Sequence, residues 1–371
     1  MIRLCSISDC TGCGACSASC PHHAIAMKID RYGFKYPIID AAKCVECGLC
    51  IRYCPILTLP SYVYPMSAMA CYALNSQERE KSSSGGLATL LAKEIIRRGG
   101  VVYGCAFVPP FSVKHIRCVS EEEIKKLRGS KYVQSDIKDI YESIKKDLKS
   151  GLKVLFIGTA CQVAAIKSIF YKSENLFVVD IICHGVPSLQ FLLDTLPRSR
   201  QNTAVDQMEF RVNTKYHFSL RNKAGISLYE RPLSSDMYMK GFFNGTIFRS
   251  SCFVCRFARK ERISDITIGD FWGLKSTLVK KKEKGVSLAL INNVKGQQLF
   301  DSACLGNAFI EKRTQEEAFA GNEQLNHPFR KNFRVYVFRR LYPYIGYKKA
   351  LCCALPDKIL LMKLKNIFKI K

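Results

Sequence analysis

No stretch of about 20 consecutive apolar residues occurs in this 371-residue chain, so a membrane-spanning helix is not expected. The start, Met1-Ile2-Arg3-Leu4, leads straight into a cysteine motif and lacks a signal peptide. Acidic residues are scarce: 31 Asp and Glu stand against 57 Lys and Arg, a formal charge of +26. That excess invites a nucleic-acid reading, but the basic residues are scattered and no nucleic-acid motif accompanies them. Acidic partners are expected instead: a redox protein, a nucleotide or phosphorylated substrate, or an anionic membrane surface. What the chain holds in quantity is cysteine. Nineteen thiols without a secretion signal argue for a reducing cytoplasm and for metal ligation. A hydrophobic content of 48% leaves ample material for the core of two or three domains.

Eight of these cysteines form two runs, Cys10-x2-Cys13-x2-Cys16-x3-Cys20-Pro21 and Cys44-x2-Cys47-x2-Cys50-x3-Cys54-Pro55. Cysteines three apart on a tight turn can close their thiolates around one iron–sulfur cube, and the fourth, before proline, ligates the other cube. The expected sets are Cys10, Cys13, Cys16 and Cys54 for one 4Fe–4S cluster, and Cys44, Cys47, Cys50 and Cys20 for the other. Zinc sites instead show two Cys-x2-Cys pairs across a longer gap. Gly12, Gly14 and Gly48 are read as letting the backbone approach the sulfides. Residues 24–27 and 36–39 read as short strands joined by a turn at 30–33, so residues 1–60 form a ferredoxin-type module supporting electron transfer. A proline- and tyrosine-rich linker follows over 55–65.

The remainder reads as α/β with a mixed sheet. A strand at 70–74, the turn Ser82-Ser83-Ser84-Gly85-Gly86, a helix over 87–98 and a buried strand over 101–107 come first. A Ser/Gly turn opening a helix offers free N–H groups to an anion, although an ordinary serine-rich cap reads the same way. The loop Gly129-Ser130-Lys131-Tyr132-Val133-Gln134-Ser135 combines a glycine turn, hydroxyls, a cation, an aromatic face and an amide, which suits a phosphorylated aromatic cofactor. Strand 153–157, helix 161–170 and strand 176–182 make a β-α-β unit, so part of the sheet is expected to be parallel. Its loops put Cys161 and Cys183 at one carboxyl-terminal sheet edge, where open sheets bind ligands. From about Asp206 the pattern turns to short alternating strands. Cys252-x2-Cys255 has metal-ligand spacing, and together with Cys161 and Cys183 it offers four thiolates for a third 4Fe–4S cluster or a structural zinc. The other seven cysteines (5, 71, 105, 118, 304, 352 and 353) read as small buried hydrophobes.

Six motifs in order, Ser83–Gly86, Gly129–Ser135, Gly158-Thr159-x-Cys161-Gln162, Cys183-His184-Gly185-Val186-Pro187, Ser251-Cys252-x2-Cys255 and Asp265-Ile266-x-Ile268-Gly269-Asp270-Phe271-Trp272-Gly273, resemble the family of coenzyme F420 hydrogenase/dehydrogenase beta subunits over residues 68–330. Ala160 stands where that family usually has proline. The resemblance implies an FAD-dependent iron–sulfur oxidoreductase. Ser83, Ser84, Gly85, Gly86, Gly129, Ser130, Lys131, Tyr132, Gln134, Ser135 and Thr159 would surround FAD, with Lys131 as a phosphate contact. The third cluster would sit beside it on Cys161, Cys183, Cys252 and Cys255. The implied domains are 1–60, the two parts 68–190 and 191–330 of one larger domain, and a basic tail over 331–371. The family name does not fix the substrate, and no catalytic acid is identified; His184 is adjacent to a proposed ligand and could donate a proton or bond a sulfide.

The expected function is electron transfer between the ferredoxin clusters and FAD, and on to an anionic two-electron substrate across a basic rim. A second reading is a non-catalytic electron-transfer subunit serving a partner enzyme, including one in polysaccharide or envelope synthesis. Leu360, Leu361, Leu364, Ile367 and Phe368 fall on one face of a terminal helix with lysines mostly elsewhere. That helix is expected either to rest on the inner membrane face or a partner, or to pack on its own domain.

Overall fold

The computed structural model describes residues 2–197, 204–212 and 215–368. Strands β1 (Ile25–Ile29) and β2 (Lys35–Ile39) pair antiparallel as Ile25↔Ile39 through Ile29↔Lys35. The Asp30 carboxylate closes their turn by accepting from the N–H groups of Tyr32 and Phe34, both at 2.9 Å. Each cysteine run enters a one-turn helix, Ala15–Ala18 or Leu49–Arg52, through a left-handed glycine, Gly14 or Gly48.

The larger domain is built on an eight-stranded sheet. Its members are β3 (Ser67–Ala73), β4 (Val101–Val108), β5 (Ser112–Cys118), β6 (Val154–Thr159), β7 (Leu176–Ile181), β11 (Ile266–Asp270), β12 (Ser287–Ile291) and β13 (Ala308–Arg313), in the order β13-β3-β12-β11-β7-β6-β4-β5. The centre, β4-β6-β7-β11, is parallel, and both flanks are antiparallel. The expected mixed α/β sheet is therefore present, and β6, helix Ala160–Phe170 and β7 form its β-α-β unit.

Side-chain alternation sorts the sheet's two faces. Val102, Leu155 and Val179 meet helices Leu87–Arg97 and Val294–Cys304, whereas Tyr103, Val154, Phe156 and Val178 meet helices Ile140–Lys149 and Ala160–Phe170. Ala15, Cys54 and Ile56 of the ferredoxin module join this second face.

A further core lies beside the sheet. Strands β8 (Gln207–Val212), β9 (Lys215–Arg221) and β10 (Ser227–Pro232) form a separate sheet, and helices Leu189–Thr195 and Met237–Phe243 cover it. The C-terminal region is part of this core and not a loose appendage. Helix Phe333–Ala354, interrupted at Gly346, buries Val335, Phe338, Tyr342, Tyr347 and Leu351 there. Phe34 and Tyr36 of the ferredoxin module enter the same core, and the Phe191 ring meets Phe34, Phe338 and Tyr342 edge-on. The last helix, Pro356–Phe368, buries Ile359 and Met362 but leaves Leu360, Leu361 and Leu364 exposed. The side chains of Ile367 and Phe368 lie outside the described residues. No described helix is long and apolar enough to cross a membrane.

Candidate metal centres and cofactor cavity

All nineteen cysteines are free thiols, so no disulfide competes for the sulfurs. Cys20 lines one small cavity with Cys44, Cys47 and Cys50, and the Ala24 N–H donates to its Sγ at 3.3 Å. Cys47 is exposed, placing this set at the surface. Burial, then the neighbouring Cys13, Cys10 and Cys54, push the Cys16 thiol up, so the first run and Cys54 also meet. The structure thus brings Cys20 beside the second run and Cys54 beside the first. Among the described residues no three His, Cys, Asp or Glu side chains converge closely enough for a single metal ion. Four sulfurs spaced around a cavity suit a cube better than one zinc, whose sulfurs must all stand about 2.3 Å from the metal.

Three details differ from expectation. Cys5 is not a bland core thiol: it lies within hydrogen-bonding reach of both Cys10 and Cys54. Cys353 is exposed. Gly12 adopts φ +68°, and the Arg249 guanidinium occupies the space a side chain would take, with Nη1 only 2.7 Å from a Cβ placed there. Its glycine serves that arginine.

Cys161, Cys183, Cys252 and Cys255 line a second cavity of about 50 Å³, joined by Thr11 and Arg249. Cys161 opens the helix after β6 and Cys183 follows the end of β7, and the parallel register of the two strands aligns Thr159 with Ile181 at one sheet edge. The other two come from the short turn Ser250–Val254 and the residue after it. Val186 N–H donates to Cys252 Sγ at 3.4 Å. Burial pushes the Cys161 thiol up to about 11 and Cys252 up to about 12, so binding metal here must expel protons.

Against this cavity lies a larger one of about 320 Å³. Thr159, Cys161, Cys183 and His184 line both. Ser83, Ser84, Gly86, Gly129, Ser130, Lys131, Tyr132, Gln134, Ser135 and Thr159 all border the larger one. Gly85 does not: its N–H donates to Ser287 Oγ at 3.0 Å and its carbonyl accepts from Ala73 N–H at 2.8 Å, so it anchors the turn to the sheet. The two loops clasp each other through Ser130 N–H and Ser83 Oγ at 2.7 Å. Gly86 opens the eleven-residue helix Leu87–Arg97 without a side-chain cap, leaving its first N–H groups for a ligand.

Lys131 departs from its assigned role as a phosphate contact. Its ammonium donates to the carbonyls of Arg128 at 2.6 Å and Leu127 at 3.0 Å, and burial pulls it down to about 8. It secures the preceding turn. Gln134 reaches across to the ferredoxin module, donating to the Thr11 carbonyl at 2.9 Å.

A polar chain runs along one wall. His115 is buried and held down to about 4, hence neutral; its Nε2 donates to the Ile157 carbonyl at 2.9 Å, which makes Nδ1 an acceptor for Ser135 Oγ at 3.1 Å. Gln162 Nε2 donates to the same hydroxyl at 2.9 Å, and its Oε1 accepts from Thr159 N–H at 3.1 Å. Thr159 Oγ1 then stands 3.2 Å from Cys161 Sγ. This chain links the cavity wall to a proposed ligand sulfur.

The opposite wall was not picked out as a site from sequence. Arg211 on β8 is buried; it donates to Asp270 Oδ2 and to the Tyr216 hydroxyl, both at 2.8 Å, and bonds the Ser83 carbonyl. Tyr132 stacks on Phe242 at 4.5 Å, and Tyr216 meets Phe243 edge-on at 4.6 Å. Arg128 pairs with Glu78. The described arginines lining the cavity are thus paired and Lys131 is spent on carbonyls, so none of these side chains supplies the basic rim expected here. Burial holds His184 below its ordinary range, with Asp270 pulling the other way.

Comparison with known proteins finds matches to both parts of the chain. Residues 151–317 match the model of coenzyme F420 hydrogenase/dehydrogenase, beta subunit (C terminus); residues 9–56 match a 4Fe–4S dicluster domain and residues 41–72 a 4Fe–4S binding domain. One subunit of the F(420)H(2) dehydrogenase of Methanosarcina mazei is 20% identical over 190 residues, 47% of this chain and 53% of that protein, so the chain spans about half of that relative's length. A ferredoxin-like protein in the nif region of Sinorhizobium fredii is 42% identical over 55 residues, 13% of this chain and 78% of that protein. A chain in the F420-reducing NiFe hydrogenase complex from Methanosarcina barkeri aligns at 18% identity and TM-score 0.49, covering 71% of this chain and 90% of that one. The chain belongs at its N-terminus to the 4Fe–4S dicluster ferredoxins and carries over residues 151–317 a domain matching the C terminus of coenzyme F420 hydrogenase/dehydrogenase beta subunits, which makes it an iron–sulfur electron-transfer protein.

Proposed function

We propose that the protein is an FAD-dependent oxidoreductase in which a third 4Fe–4S cluster, on Cys161, Cys183, Cys252 and Cys255, stands between the ferredoxin module and the flavin. The observation that carries the reading is the shared wall: Thr159, Cys161, Cys183 and His184 border both the four-cysteine cavity and the 320 Å³ cavity. When bound, 4Fe–4S clusters carry electrons singly, and a flavin exchanges them singly or in pairs with an organic substrate. The residues present fit both groups. The helix N-terminus at Gly86 and the open left-handed Gly129 suit a phosphate. Tyr132, Tyr216, Phe242 and Phe243 offer aromatic faces to a ring. Thr159 and Ser135 supply hydroxyls beside it, and His184 is a base or donor at the seam between the cavities.

With its arginines paired and Lys131 engaged, the cavity selects substrates by aromatic packing and hydrogen bonds; an anionic substrate would have to be met by the helix N-terminus or by displacing a pair. Exposed Cys47 supports entry or exit of electrons through a redox partner at the second ferredoxin set, as does the fact that the Methanosarcina mazei relative is one subunit of a dehydrogenase. The competing role, wiring a partner enzyme without its own substrate, predicts full iron and no flavin. Exposed Leu360, Leu361 and Leu364 support contact of the last helix with an anionic membrane surface.

Anaerobic iron, sulfide and flavin analysis tests the proposal. Wild-type protein should carry about twelve irons and one FAD per chain, and replacing Cys252 and Cys255 by Ser should remove about four irons. Full iron with no FAD after reconstitution would leave only the wiring role, and unchanged iron in the double variant would dismiss the third cluster.

A further inference from the structure

Arg249 heads the fully buried side chains by size, and among the described residues its guanidinium meets no carboxylate. It donates to the carbonyls of Cys10 at 2.7 Å and Lys35 at 2.8 Å, and to Gln134 Oε1 at 3.2 Å. It lies 4.2 Å from the Tyr36 ring centroid. Carbonyls, an amide and an aromatic face supply dipoles but no counter-charge, and a buried cation without one is costly.

The groups that can supply negative charge are thiolates. Arg249 Nη2 stands 3.8 Å from Cys10 Sγ, in the first ferredoxin set. Arg249 also lines the cavity of Cys161, Cys183, Cys252 and Cys255. Its backbone is locked into that second site, donating to the Val186 carbonyl at 2.9 Å and accepting from Cys252 N–H at 3.0 Å. The residue is rooted in one cysteine set and reaches into the other, through the space that Gly12 leaves open. It does not border the surface set of Cys20, Cys44, Cys47 and Cys50.

We infer that Arg249 is a shared counter-cation for two 4Fe–4S clusters, those of Cys10, Cys13, Cys16 and Cys54 and of Cys161, Cys183, Cys252 and Cys255, and that it raises the reduction potential of both. The second half rests on the third-cluster reading above; the first does not. Reduction of a four-thiolate cube adds one electron from a one-electron donor and no proton, taking its charge from −2 to −3. A fixed cation a few ångströms away favours the more negative form, and the dry surroundings preserve that effect. Arg249 is thus a positioning residue for charge, and it also ties the module's Cys10 and Lys35 backbone to the larger domain.

The test is anaerobic potentiometric titration of the full chain with dithionite, followed by electron paramagnetic resonance, with iron counted on each sample. In Arg249→Gln, at wild-type iron, the reduced-to-oxidised ratio of two clusters at fixed potential should fall at least tenfold, about 59 mV for a one-electron couple. The surface cluster should not move, and Arg249→Lys should keep wild-type potentials. Unmoved potentials in Arg249→Gln, or an equal shift of all three clusters, would overturn the inference. If Arg249→Gln fails to hold iron, Arg249→Lys decides: full iron at wild-type potentials supports a need for the charge, and iron loss or lowered potentials in the lysine variant refutes it. Wild-type protein with about eight irons would sink the third cluster alone; one signal should then still shift in Arg249→Gln, and its failure to do so would end the remaining half.

Discussion

Replacing Asp270 by Asn probes the hub that joins three walls of the large cavity. Arg211 and Asp270 bond at 2.8 Å, with side chains 5% and 21% exposed. At an effective dielectric of about 20, two unit charges about 4 Å apart attract by about 4 kcal/mol. Removing one partner of a buried pair costs about 3–5 kcal/mol because the other charge is left unmatched. Water reaches Asp270 in part, and Asn retains an acceptor oxygen, so Asp270→Asn is expected to cost about 2 kcal/mol in urea unfolding. The same guanidinium holds the Ser83 carbonyl and the Tyr216 hydroxyl, so FAD binding, read by quenching of flavin fluorescence, should weaken about tenfold, equal to about 1.4 kcal/mol. Arg211→Met removes the orphaned cation. The double variant should therefore lose less than the sum of the singles by at least about 1 kcal/mol. Additivity within about 0.5 kcal/mol would refute the claim that the two side chains act as one unit.

Two further outcomes follow from burial and exposure. His115 is pulled from its ordinary 6.5 down to about 4, so the unfolded chain binds more protons between those values; stability is complete above pH 6.5 and is lost as pH falls toward 4, and between pH 7 and 5.5 wild type should lose about 1 kcal/mol more than His115→Gln in urea titrations. Equal losses would exclude His115 as the cause. Replacing exposed Leu360, Leu361 and Leu364 by Glu, while keeping buried Ile359 and Met362, should abolish flotation with anionic liposomes and leave thermal unfolding nearly unchanged; undiminished flotation dismisses a membrane role for this helix.

What was legible from sequence was what is local. The cysteine runs declare their grouping because ligand spacing is set by a few bonds of backbone. The β-α-β unit declares itself because its strands and helix are consecutive and strongly patterned. The Ser83 and Gly129 loops, far apart in sequence, do border one cavity. The illegible parts depend on long-range contact. Arg211 and Tyr216 sit on a small separate sheet, and nothing in its alternating pattern says that one edge faces the Ser83 turn. Arg249 reads as an ordinary basic residue before a cysteine pair, although it is among the most buried side chains in the chain. Lys131 reads as a phosphate ligand from its loop, but the carbonyls ending the preceding turn take its donors first. Gly85 reads as part of a cradle and proves to be an anchor. The C-terminal lysines suggested a tail, while Val335, Phe338, Tyr342 and Tyr347 between them complete a core.

That core has a consequence for the ferredoxin module. Phe34 and Tyr36 are buried among rings from helices near residues 190 and 340, and the module's Tyr32 hydroxyl donates to the Arg339 carbonyl at 3.1 Å. The module is therefore no tethered shuttle swinging between stations on the linker over 55–65. It is welded in place, and the gap between its cysteines and the next set is a constant of the fold. Under the proposed relay, docking of a partner would time electron exchange at the surface, and the module would not have to move for charge to pass between it and the larger domain.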